Sequence, residues 1–175
     1  MLFRSSPDEA LNTAFEWAKV RLDSFFVDTP GVGRSLAAGY AAARPGWGDG
    51  RPGYALYFGR DACWSALALL AAGDFAGARL VLRFLGDTQD VSGKVIHEYT
   101  TSGLAHYDAA DSTPLYLLLA GRYAAWSGDL AFLEGQWRRL EQAYRFCLET
   151  DADGDGLIEN TRVGHGWIEI GRAHV

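Results

Sequence analysis

The chain has 175 residues, of which 49% are hydrophobic and 22% charged, with a net charge of −6 at neutral pH. That length suits one domain with a real core, and the acidic balance argues against nucleic acid, which requires a basic footprint. No apolar run reaches the roughly 18–20 residues that cross a bilayer, because Arg122 interrupts the longest candidate.

The opening residues, Met1 to Pro7, have no charged head followed by a long apolar stretch, so no secretory signal is expected. Pro7-Asp8-Glu9 supplies a helix start, with proline and acids in the first turn. Leu11, Ala14, Phe15, Ala18, Leu22, Phe25 and Phe26 then follow the spacing of one helical face. Residues 28–58 are rich in glycine and proline, which predicts a long connection in place of a continuous helix. This connection carries Tyr40, Trp47, Tyr54, Tyr57 and Phe58, too aromatic for a disordered linker.

Two stretches beyond it share one layout. Tyr57-Phe58-Gly59-Arg60-Asp61 leads into an apolar helix, Ala62–Ala72, then Gly73-Asp74 and a second helix, Phe75–Gln89. Tyr107-Asp108-Ala109-Ala110-Asp111 leads into Thr113–Ser127, then Gly128-Asp129 and Leu130–Thr150. The Gly-Asp turns lie 55 positions apart (128 minus 73), so the unit is a repeated helical hairpin. Its first helix is apolar nearly all round and predicted to be buried on every side. In the last helix Leu133, Trp137, Leu140, Tyr144 and Cys147 form a stripe, with Arg138, Arg139, Glu141, Gln142 and Arg145 mostly facing away. Alternating buried and amphipathic helices predict an all-α fold of inner and outer helices, with both polar loops at one end. Cys63 and Cys147 sit on apolar faces with no partner at ligand spacing and read as two buried thiols, which fits a reducing, cytoplasmic compartment.

Several clusters carry chemistry. Arg60 offers a fork of donors and Asp61 accepts from hydroxyls, so the pair can fix a sugar ring; it can equally be a helix-dipole carboxylate with a local ion pair. His97 and Glu98 follow Gly93-Lys94-Val95-Ile96, as a proton carrier and a hydroxyl acceptor or as a structural pair. Around residue 111, Asp111 or Ser112 serves as a helix cap and Pro114 fits the first turn, but capping does not account for His106, Tyr107 and Asp108. Asp151-Ala152-Asp153-Gly154-Asp155-Gly156 resembles the first half of a calcium loop. Its twelfth position is Arg162, where a bidentate glutamate is required, so a polar glycine turn is expected and no metal site. Trp167-Ile168-Glu169 presents an aromatic platform beside an acid, and burial against a ring raises a carboxyl toward general-acid duty.

Taken together, these residues resemble the six-hairpin toroid glycosidases, a group holding glucoamylases, trehalases and the amylo-alpha-1,6-glucosidase part of glycogen debranching enzymes. The likeness is nearest to bacterial debranching-type enzymes and spans roughly residues 10–169. Arg60-Asp61 matches the family's Arg-Asp, the segment from Gly93 to Glu98 a Gly-Xaa-Ile-Pro-His-Glu-like run, and Asp111 to Leu115 an Asp-Ala-Thr-Pro-Leu-like helix start. The resemblance implies a partial (α/α)6 toroid, with residues 1–169 the N-terminal part of a catalytic domain. It also implies an inverting hydrolase that releases glucose from alpha-glucosidic linkages, alpha-1,6 branches among them, without a cofactor. Glu169 would be the general acid; the base would lie in a later hairpin, outside this chain, leaving the chain itself inactive. Arg60 and Asp61 would hold the terminal sugar, with Tyr57, Phe58, His97, Glu98, Tyr107, Asp108, Asp111 and Trp167 forming the rest of an oligo- or polysaccharide site. Residues 170–175 match what a common sequencing-adapter DNA encodes and are read as a non-native tail. Two other classes stay open: a sugar epimerase or isomerase using His97 and His106, and a non-catalytic helical-repeat binding module.

Overall fold

The computed structural model describes residues 5–39 and 54–158. Five helices carry most of it: α1 (Glu9–Ser24), α2 (Gly59–Ala72), α3 (Phe75–Asp87), α4 (Ser112–Ser127) and α5 (Leu130–Thr150). The expectation of an all-α chain needs correction, because five short strands accompany them. Strands β1 (Phe26–Thr29) and β2 (Gly33–Leu36) form an antiparallel hairpin, pairing Phe26 with Leu36 and Thr29 with Gly33. Strands β3 (Tyr57–Phe58), β4 (Glu98–Tyr99) and β5 (Ala105–His106) form a small antiparallel sheet in that order. The described ends of the predicted connection pair with each other: Ala37 bridges Tyr57, and the Ala38 N–H donates to the Leu56 carbonyl at 2.9 Å.

The repeated hairpin is present. Helix α2 ends on Gly73 at φ 83° and α4 on Gly128 at φ 68°, left-handed conformations that favour glycine at a helix C-terminus. Asp74 and Asp129 then cap the following helices, accepting from Gly77 N at 2.9 Å and Phe132 N at 3.2 Å. Helices α2 and α4 lie side by side and run the same way. Their starts meet where the Arg60 guanidinium bonds Asp111. Near their far ends, Arg79 reaches Asp129 at 3.1 Å and the Tyr123 hydroxyl donates to the same carboxylate at 2.9 Å. Cys63, Ala66 and Leu70 on α2, Val81, Leu82 and Leu85 on α3, and Tyr116, Leu119 and Tyr123 on α4 form one continuous core.

Three packing expectations change. Helices α2 and α4 are not covered all round: each keeps an exposed stripe, with Trp64 on α2 and Leu118 on α4. Helix α1 forms as predicted but buries no residue; only its C-terminal end, Leu22 and Phe25, leans on the core. On α5 the buried face is Phe132, Ala143 and Phe146, rotated from the predicted stripe, whose Trp137 and Tyr144 are exposed. Arg139 accounts for the rotation. Its guanidinium turns inward to bond the Gly86 carbonyl and Asp87, while the Gln89 amide donates to the Arg139 carbonyl at 3.0 Å. Satisfying the buried Gly86 carbonyl outweighs burying Trp137, because a buried acceptor left unpaired is costly. Cys63 is fully buried, but Cys147 is only half-buried, and burial pushes its thiol up to about 11. Among the described residues no helix is long and apolar enough to cross a membrane.

Candidate functional site

The three-stranded sheet fixes the loops at the start of α2 and α4. Phe58, Glu98 and His106 pair across the three strands in one row. Directly opposed residues project to the same face of a sheet, so this row brings a ring, an acid and an imidazole together. The second row, Tyr57, Tyr99 and Ala105, faces the core. The sheet is tied to α2 by the Gly59 N–H, which donates to the His97 carbonyl at 2.9 Å. It is tied to α4 through Thr113, whose hydroxyl accepts from Val95 N at 3.0 Å.

Three charge-bearing pairs occupy this rim. Arg60 makes a two-pronged contact with Asp111, using Nε and Nη2. Asp111 stands at the N-cap position of α4 but makes no capping bond with its side chain, so its carboxylate serves the arginine in place of the helix. This hydrogen bond holds the Arg60 guanidinium even more firmly protonated than usual. His97 Nδ1 meets Asp108, and His106 Nδ1 meets Glu98 at 2.6 Å. Anchoring Nδ1 to a carboxylate fixes the ring and directs Nε2 away from the anchor. Tyr54, Phe58 and His97 run as neighbouring rings, with centroids 6.1 and 5.9 Å apart.

Asp61 points elsewhere. It is exposed and, with Ser65 one turn on, lines a recess of about 110 Å³ walled by Leu22, Phe25, Leu36 and Ala37. Arg60 bonds Asp111 of the other hairpin, and the charge of Asp61 beside it adds to the hold on its proton.

Two tyrosines expected at the site have other duties. Tyr57 is buried, with its hydroxyl 2.6 Å from the Thr29 hydroxyl and donating to the Val27 carbonyl at 3.2 Å. Burial raises its pKa, and its place in the core takes it away from any ligand on the rim. Tyr107 is half-buried and donates to the Thr88 carbonyl at 2.8 Å, so its hydroxyl anchors a loop. Glu169 and Trp167 lie outside the described residues.

The structure adds to the site residues that sequence reasoning did not assign to it. Tyr54 joins the aromatic run and is two-thirds exposed at 66%. Lys94 is buried beneath the rim, its ammonium 5.5 Å from the centre of the Phe146 ring. Burial lowers its pKa, opposed by the charges of Asp108 and Asp90. Nothing local marked Lys94, since one lysine before Val95-Ile96 reads as a surface residue. At the end of α5, the carboxylates of Asp151, Asp153 and Asp155 come within 4.8 Å of one another. They accept from the loop's own amides, Asp151 from Gly154 and Gly156 and Asp155 from Leu157, as in a polar glycine turn.

The rim can thus accept from hydroxyls at half-buried carboxylates, stack a sugar face on rings, and move a proton through a carboxylate-anchored imidazole. The chain matches no protein family model, and no curated protein is significantly similar to it.

Proposed function

We propose that this chain contributes part of the catalytic domain of an inverting glycoside hydrolase that releases glucose from alpha-glucosidic linkages, within a toroid of helical hairpins. The observation that carries the reading is the gathering of Phe58, Arg60, His97, Glu98, Asp108 and Asp111, from three separate segments, at one end of a parallel helix pair. Rings and carboxylates supply what a sugar offers partners for: an apolar face and a fan of hydroxyls. In this reading Tyr54 and Phe58 flank the sugar, Glu98 accepts from its hydroxyls, and the Arg60–Asp111 pair holds the pocket's shape. Glu169 donates the proton to the leaving oxygen, and a second carboxylate outside this chain activates water.

Saturation-transfer NMR with an alpha-1,6-linked gluco-oligosaccharide tests this. Transfer to the terminal glucose ring is expected with the native chain, at least tenfold weaker binding with Glu98→Gln, and no transfer to a beta-linked oligosaccharide. Equal binding by Glu98→Gln, or no preference for the alpha linkage, contradicts the reading.

A second reading, sugar epimerisation, draws on one specific observation: His97 and His106 are each anchored through Nδ1 to a carboxylate. Two such imidazoles can serve as acid and base across one carbon. Sugar interconversion without glucose release would favour it.

A further inference from the structure

We draw no further inference here: the strongest candidate, the stripe of exposed apolar side chains that Trp137, Tyr144 and Leu148 form along α5, carries none because nothing in the structure shows what covers it.

Discussion

Lys94 is a charge buried beneath the candidate site. Its ammonium lies under the rim against the Phe146 ring, with Asp108 and Asp90 as the nearest charges that oppose its desolvation. A buried lysine whose folded pKa is lowered below the unfolded 10.5 binds fewer protons folded than unfolded between those two values. Its burial therefore costs stability at neutral pH, and the cost is relieved as pH climbs through the folded value toward 10.5. Lys94→Met should accordingly raise stability to urea near pH 7, with an advantage that shrinks toward pH 10. A loss of stability at pH 7 would mean that attraction to Asp108 and Asp90 outweighs desolvation. Asp111 teaches a related lesson. Its place before α4 reads as a cap, yet its carboxylate bonds Arg60, 51 positions earlier in the chain. Sequence places the residue correctly and cannot rank two partners when one comes from another hairpin.

At the scale of elements, the close meeting of α2, β4 and α4 rests on Gly59. A Cβ there would run into the Ile96 carbonyl and come within 2.9 Å of the Ser112 hydroxyl oxygen. The first obstacle is backbone fixed by the sheet, so it cannot swing aside. Alanine normally favours a helix over glycine by about 1 kcal/mol, but here overpacking should dominate and Gly59→Ala should destabilise by about 2 kcal/mol. Chemical denaturation gives the number, and an unchanged or raised midpoint would show that the helix start stands clear of the loop. The hairpins themselves were legible because Gly-Asp recurs with the same apolar run before it, a local pattern that needs no tertiary information. The rim sheet was not legible. Its strands are two residues each, too short for alternation to register, and they exist because the Gly59 and His97 amides need acceptors that only neighbouring segments supply. The turn of α5 was misread for a similar reason. Periodicity ranked Trp137 and Tyr144 as core, whereas Arg139 is drawn inward by the Gly86 carbonyl and Asp87.

For the molecule as a whole, repetition explains both what is assembled and what is left open. Two like hairpins set side by side carry their loops to one end, which makes a rim, and their Gly-Asp turns to the other, where Arg79 and Asp129 join. Among the described residues the same arrangement leaves Trp64, Leu118 and Trp137 exposed. Sequence supplied the repeat and its polar end; the pairing of residues across hairpins came only with the fold, as the Arg60 and Asp111 partnership illustrates. That partnership is the most direct consequence of placing the two helix starts together, and a double-mutant cycle measures it. Arg60→Met, Asp111→Asn and the double variant should show a coupling of about 1 kcal/mol, as suits a two-pronged but partly exposed pair. Destabilisations that simply add, within about 0.3 kcal/mol, would contradict the shared rim.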